Sequence, residues 1–248
     1  STHFSIDGTH VAAGSGVIID KLICAVIEQG LAGLEKMSGI PGTVGGAVRG
    51  NAGAYGQEIK DKLICVRVLE IENHAARIVE YGNEQCKFSY RESIFKRNPN
   101  VIVLDSKYEL THGGREALQK EREKTIQKRT SRYPDQPSCG STFKNIKFEM
   151  KGAQAFILGT GQELVSEIVR KLPEHCLTWH TLPTGWLVTE LGLRGTKIGG
   201  AMISKEHGNF IVNLGGATAV DVIALIAEVK TRVYDTTGVS IEEEIQII

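Results

Sequence analysis

The sequence predicts an α+β protein built as two units, on three observations. Segments of helical and strand periodicity alternate along the chain without an internal repeat. A strongly charged helical stretch runs into Tyr133-Pro134-Asp135-Gln136-Pro137, an extended linker because each proline disfavours α conformation in the residue before it. At 248 residues the chain is long enough for two modest units, each with its own core.

The first strand is read at residues 9–14, and residues 16–30 suit a helix with Asp20 in its first turn and Gly30 at its stop. Residues 63–71 and 76–81 read as strands joined by a polar turn at Asn73-His74, and residues 101–104 as a short buried strand. Residues 114–132 form a helix rich in both signs, read as a solvated face with i,i+4 pairs. Beyond the linker, helices are expected at 162–172 and from 186 to 191, ended by Gly192, and a strand at 210–212. Residues 219–233 make an amphipathic helix with Val222, Leu225, Ile226, Val229 and Val233 on one face. A strand at 241–248 closes the chain, with Ile241, Ile245 and Ile247 facing inward.

Composition removes several function classes. A hydrophobic content of 41 %, 23 % charged residues and a formal net charge of +0 give no electrostatic case for nucleic acid or an anionic membrane. No apolar run reaches the ~18 residues of a membrane span. Five cysteines, scattered and without a C-x-x-C pair, read as reduced, mostly buried thiols of a cytoplasmic protein. The P-loop, the Rossmann G-x-G-x-x-G, the G-x-S-x-G elbow and H-E-x-x-H are all missing, so no metal site is expected.

The densest signal is Gly39-Ile40-Pro41-Gly42-Thr43-Val44-Gly45-Gly46-Ala47, closed by Asn51-Ala52-Gly53-Ala54-Tyr55-Gly56. Glycine belongs where φ is positive or where another backbone or a ligand comes too close for a Cβ, and clustered N–H groups in such a loop can converge on an oxygen. Glycine clusters are also ordinary turns; the order of this one is not generic. Phe88-Ser89-Tyr90-Arg91-Glu92-Ser93-Ile94-Phe95-Lys96 follows, then Cys139-Gly140-Ser141-Thr142-Phe143-Lys144-Asn145. A tail from Gly185 onward holds Gly199-Gly200-Ala201, the block from His207 to Asn213 and the block from Gly238 to Ile245. In that order the segments resemble the UDP-N-acetylenolpyruvoylglucosamine reductase family over nearly the whole chain.

The resemblance implies a two-part FAD-binding, vanillyl-alcohol-oxidase-like domain followed by an α+β substrate domain. It implies that 1–136 is the second FAD-binding lobe with a linking helix, 137–238 the substrate domain and 239–248 a strand returning to the active site. The activity implied is reduction of UDP-N-acetylglucosamine enolpyruvate to UDP-N-acetylmuramate, with FAD and NADPH, in a cytoplasmic monomer of peptidoglycan synthesis. Flavin contacts would come from Gly39, Ile40, Pro41, Gly42, Thr43, Val44, Gly45 and Gly46, with Asn51, Gly53, Ala54 and Tyr55. Arg91 corresponds to the family's catalytic arginine, whose planar, permanently charged guanidinium suits an enolate-like carboxylate. Ser141 corresponds to the proton donor, a weak acid that a carbanion can still deprotonate. Glu244 corresponds to the catalytic glutamate. Tyr90, Lys144 and Asn145 would contact substrate, the last two at diphosphate and uracil.

Three departures stand beside the resemblance. The family's first lobe, with a further phosphate loop, is not found before Thr9, which leaves open a piece of a longer chain or a real loss. Gln246 stands where arginine is frequent, and residues 146–184 form a long insertion. A non-catalytic UDP-sugar-binding relative with an incomplete flavin site is therefore the alternative. A different flavin oxidoreductase is a third reading, and the joint presence of Arg91, Ser141 and Glu244 argues against it.

Overall fold

The computed structural model describes residues 1–73, 75–147 and 181–247. The helix expected at 162–172, Cys176 and most of the 146–184 insertion lie outside the described residues. The chain divides into two compact units, Ser1–Ser131 and Arg132–Ile248, so the division falls just ahead of the proline-bearing stretch.

The first unit is built on an antiparallel sheet of β1 (Phe4–Asp7), β2 (His10–Gly14), β3 (Leu63–Glu72), β4 (Ala75–Gly82) and β5 (Val101–Glu109), in the order β1-β2-β5-β3-β4. β1 lies ahead of the first expected strand; Phe4 and Ile6 alternate with polar residues, but the run is only four residues long and largely exposed, an edge strand held by its ladder to β2. Helix α1 (Ile19–Glu28) buries Ile19, Leu22, Ile23, Val26 and Ile27, the i, i+3, i+4, i+7, i+8 stripe of an amphipathic helix. It stops at Gly30, whose φ of +70° only glycine adopts readily. The stripe joins Val11, Ala13, Val66, Val68 and Tyr108 in one buried cluster. On the sheet's other face Arg67 pairs with Asp105 and Lys107 with Glu80, exposed pairs worth at most about 1 kcal/mol each.

The glycine stretch is not a plain loop. Thr43 caps a short helix, α2 (Val44–Arg49), its hydroxyl accepting the Gly46 amide. The helix α3 (Ile94–Arg97) follows the Tyr90-Arg91 segment, and α4 (Arg115–Thr130) ends the unit. Part of α4 is not a solvated face. Arg122 reaches Asp20 of α1 through two bonds of 2.7 and 2.8 Å, and Asp20 also accepts the Gly39 amide at 2.8 Å. The Arg122 hydrogen bonds, helped by that amide, hold the Asp20 carboxyl below its ordinary range.

In the second unit β6 (Ser138–Ser141), β7 (Lys197–Ile198), β8 (Ala201–Ile203) and β9 (Phe210–Asn213) form an antiparallel sheet in the order β6-β9-β8-β7. Helix α5 (Thr184–Glu190) and helix α6 (Ala219–Thr237) share one core, with Leu225, Ile226, Val229 and Val233 buried from α6. Thr218 and Asp221 make a capping box at the start of α6, and Gly238 at φ +69° ends it. The strand expected at 241–248 is a correction: among the described residues a single bridge, Phe143 to Glu243, is all that forms there. The amides of Glu244 and Ile245 both turn to the Thr142 carbonyl, at 2.8 and 3.5 Å. Two successive N–H groups aimed at one acceptor break the alternation a strand needs. Ile241 is buried, but Ile247 is 58 % exposed, so the expected inward face ends before it.

Among the described residues no helix is long and apolar enough to cross a membrane. Cys65 and Cys86 are buried, Cys24 half-buried and Cys139 exposed, all as free thiols.

Candidate active site

In the first unit the candidates gather around the glycine stretch. Gly39, Pro41, Gly42, Gly46 and Tyr55 are exposed, Ile40, Thr43, Gly45 and Ala54 half-buried, and Val44, Asn51 and Gly53 buried. The expected amide cradle needs correction, because Gly39 N–H is engaged with Asp20 at 2.8 Å and Ile40 N–H with the Met37 carbonyl at 3.1 Å, and three amides of α2 are engaged as well. Val44 N–H donates to the Val17 carbonyl at 2.8 Å, Gly45 N–H to Ser15 at 2.9 Å, and Gly46 N–H to the Thr43 hydroxyl at 3.3 Å. The first two tie α2 to residues 15–17, and the third closes the helix's own N-terminal cap. What the stretch offers a ligand is close approach: a Cβ on Gly42 would meet nothing within 4 Å, and one on Gly46 only the Thr43 hydroxyl at 3.7 Å. Beside them opens a cavity of about 430 Å³, lined by Ser15, Thr43, Gly45, Gly46, Arg49 and Phe95 among others. An apolar wall, bare glycines and an arginine fit a group with a planar ring and a diphosphate, which is the chemistry of FAD. Tyr55, at φ +51°, has its ring beside the Lys128 ammonium at 5.3 Å and the Arg129 guanidinium at 5.7 Å, cation–π contacts that steady an exposed aromatic.

Arg91 sits in a tight turn closed by reciprocal Ser89 and Glu92 backbone bonds of 3.1 Å. Its φ is +57°, an arrangement that costs a non-glycine residue about 1–3 kcal/mol and persists only where the surroundings impose it. They do so here. Fully buried Asn51 donates from Nδ2 to the Ser89 carbonyl at 2.9 Å and to Glu58 at 3.1 Å, while its Oδ1 accepts the Lys60 amide at 3.1 Å. Fully buried Ser93 donates to the Arg49 carbonyl at 2.6 Å. The guanidinium lies over the Tyr90 ring at 5.1 Å and donates to the Gly53 carbonyl at 2.7 Å. The Tyr90-Arg91 turn is thus fastened to the glycine stretch at both ends. Asn51, expected as a flavin contact, has its side chain committed to that fastening.

The second unit holds Ser141, Lys144, Asn145 and Glu244. Ser141 ends β6 after Gly140, whose φ is +80°, and Thr142 and Phe143 then turn inward and are buried. The Glu244 amide donates to the Thr142 carbonyl at 2.8 Å, and the Lys144 amide to Glu242 at 2.8 Å, so the Ser141 and Glu244 segments run side by side. Lys144 Nζ meets Glu242 at 3.2 Å. Asn145 Oδ1 accepts the Thr184 amide at 3.2 Å and the Thr184 hydroxyl donates to the Lys144 carbonyl at 2.5 Å, which seats this segment on the start of α5. Sequence reasoning gave no role to Asn209, which bonds both Thr142 and Phe143. The signal for it was a polar residue opening an apolar strand. Next to it, burial pushes the His207 imidazole below its ordinary value, with Arg194 and Arg132 acting the same way.

Fold and site together define a flavin-type oxidoreductase architecture: residues 2–73 match an FAD binding domain. Residues 132–248 match the C-terminal domain of UDP-N-acetylenolpyruvoylglucosamine reductase. A reductase of that name from Solibacter usitatus is 34 % identical over 245 residues, covering 98 % of this chain and 73 % of its own. The one from Halalkalibacterium halodurans is 35 % identical over 247 residues, covering 99 % and 70 %. The solved UDP-N-acetylenolpyruvylglucosamine reductase of Thermus caldophilus matches with a TM-score of 0.69 at 31 % identity, over 98 % of this chain and 73 % of that one. The chain belongs to the UDP-N-acetylenolpyruvoylglucosamine reductase family.

Proposed function

We propose that this chain carries out NADPH-driven, FAD-dependent reduction of UDP-N-acetylglucosamine enolpyruvate to UDP-N-acetylmuramate. The observation that carries the proposal is the Arg91 turn, a left-handed arginine fastened to the glycine stretch, in a chain related to such reductases along nearly its whole length. FAD, when bound, supplies the hydride chemistry between NADPH and the substrate's double bond. Gly39 to Gly46, with Gly53, Ala54 and Tyr55, would hold it.

Arg91 pairs with the substrate carboxylate, where negative charge would build as hydride reaches the terminal carbon of the enolpyruvyl double bond, and a fixed guanidinium stabilises that charge without reorganising. Ser141 delivers a proton from its hydroxyl to the carbon that bears the carboxylate, where the electron pair is left. Glu244 steadies the enolic form of the carboxyl. Tyr90, Lys144 and Asn145 position the nucleotide sugar. The same reading makes the chain a cytoplasmic monomer in peptidoglycan precursor synthesis, with no nucleic-acid partner.

The test is NADPH oxidation by the FAD-loaded chain, with the product identified by mass. Oxidation should require the enolpyruvyl substrate, and Ser141→Ala should lower turnover by ~10²–10⁴-fold, the usual contribution of a positioned acid. Full turnover in Ser141→Ala, or in Glu244→Gln, would remove that residue from the mechanism. UDP-sugar binding with NADPH left unoxidised would make the chain a non-catalytic binder.

A further inference from the structure

We propose that Asn209 is the positioning residue that sets the Ser141 loop for proton delivery; this rests on the reading of Ser141 as the proton donor. The side chain lies in the core of the second unit, 4 % exposed. Its Oδ1 accepts the Phe143 amide at 2.9 Å and its Nδ2 donates to the Phe143 carbonyl at 2.8 Å. Its main-chain carbonyl accepts the Thr142 amide at 2.7 Å, and its own amide donates to His207 Nδ1 at 3.1 Å.

The arrangement answers a local problem in the chain. The ladder between β6 and β9 shifts register between Ser138 and Ser141, and beyond Ser141 the main chain leaves β9. The polar groups of buried Phe143 then need partners away from any strand, since an unpaired buried amide or carbonyl is costly. A carboxamide presents an acceptor and a donor in one plane, and so replaces a strand residue opposite Phe143. The Thr142 carbonyl is left to accept the Glu244 amide at 2.8 Å. Asn209 therefore fixes residues 142 and 143, and residue 142 links the backbone that follows Ser141 to the backbone of Glu244.

The surroundings leave the asparagine little freedom. A Cβ on Gly185 would lie 2.9 Å from the Asn209 Cβ, and one on Gly208 would lie 2.5 Å from the Gly185 carbonyl. Both glycines are needed for the close packing of α5 and the turn before β9 against this side chain. Loss of the carboxamide frees the loop rather than the sheet, and a misplacement of about 1 Å at a reacting group can cost ~10²-fold in rate.

The test compares wild type, Asn209→Ala, Asn209→Asp and the core control Val229→Ala. Three readouts are taken: amide hydrogen exchange of the 139–144 segment, flavin reduction by NADPH, and flavin reoxidation by the enolpyruvyl substrate. Asn209→Ala should raise exchange in 139–144 while β8 stays protected, slow reoxidation ~10–100-fold and leave flavin reduction within twofold of wild type. Asn209→Asp keeps the acceptor for the Phe143 N–H and, while ionised, loses the donor to its carbonyl; it should slow reoxidation by about tenfold. Val229→Ala should slow neither half-reaction. Reoxidation within twofold of wild type in both Asn209 variants overturns the proposal, as does equal slowing in the control or a rise in exchange across the whole sheet. Should wild type itself fail to reoxidise with this substrate, the reading of Ser141 falls separately. The exchange pattern then decides the clamp alone: a rise confined to 139–144 keeps it, and a uniform one removes it.

Discussion

Gly45 and Gly46 are neighbours on α2, yet alanine should act oppositely at the two. A Cβ on Gly45 would lie 2.7 Å from the Ser15 Cβ and 3.1 Å from the Ser15 carbonyl oxygen. Carbon atoms rest at about 3.5–4.0 Å, so the helix and residues 15–17 must part by about 1 Å. That strains the Gly45–Ser15 and Val44–Val17 hydrogen bonds of 2.9 and 2.8 Å. Overpacking of this kind costs about 1–3 kcal/mol, and the two weakened bonds add about 0.5–1.5 kcal/mol each at most. Helix propensity returns up to about 1 kcal/mol. A net loss of about 1–5 kcal/mol is expected for Gly45→Ala. On Gly46 the new methyl meets only the Thr43 hydroxyl at 3.7 Å, so propensity prevails and Gly46→Ala should be neutral or more stable by up to about 1 kcal/mol. Urea unfolding of the two variants without flavin reads the signs, since a shifted midpoint at constant slope reports stability. FAD titration then separates the roles. Gly46→Ala should bind flavin at least about tenfold more weakly, roughly 1.4 kcal/mol, despite its intact fold. A Gly45→Ala chain as stable as wild type refutes the packing argument, and unchanged flavin affinity in Gly46→Ala refutes the close-approach argument.

Two pH-linked outcomes follow from the same geometry. Asp20→Asn removes one oxygen from the bidentate Arg122 pair and should cost about 1–2 kcal/mol at neutral pH by urea unfolding. The Asp20 carboxyl is held below its ordinary range, so its stabilisation is present above the unfolded value and lost as pH falls through the lower folded one; the gap between variant and wild type should close in acid. His207 is a base held below its ordinary 6.5, so the unfolded chain takes up its proton first. Stability of the second unit should therefore fall as pH drops from about 6.5 towards the lowered folded value, where protonation also removes the Nδ1 acceptor of the Asn209 amide. His207→Phe should flatten that part of the pH–stability curve, and an unaltered slope would contradict the assignment.

Much of the fold was legible because it is written in local pattern. The α1 stripe from Ile19 to Ile27 with Gly30 behind it, the long strand β3 and the apolar face of α6 all follow from residue spacing. What escaped is held by partners distant in sequence. The strand β1 has little buried side chain of its own and exists through its pairing with β2. The helix α2 is poor in helix formers and is set by Thr43 and by the carbonyls of residues 15–17. The end of the chain looked like a strand because isoleucines alternate, but its amides answer to one carbonyl, Thr142. Of the candidate site, the motifs gave Arg91, Ser141 and Glu244 by resemblance. The left-handed backbone of Arg91 and the asparagines at 51 and 209 depend on contacts spanning 38 and 66 positions, which no local pattern carries.

The proposed reductase activity is tested most directly by one anaerobic cycle on the FAD-loaded chain, followed by visible absorbance. NADPH should bleach the flavin, and UDP-N-acetylglucosamine enolpyruvate should restore the colour with one UDP-N-acetylmuramate formed per flavin. A bleached flavin that stays colourless with the substrate present, while air still restores it, would contradict the assignment.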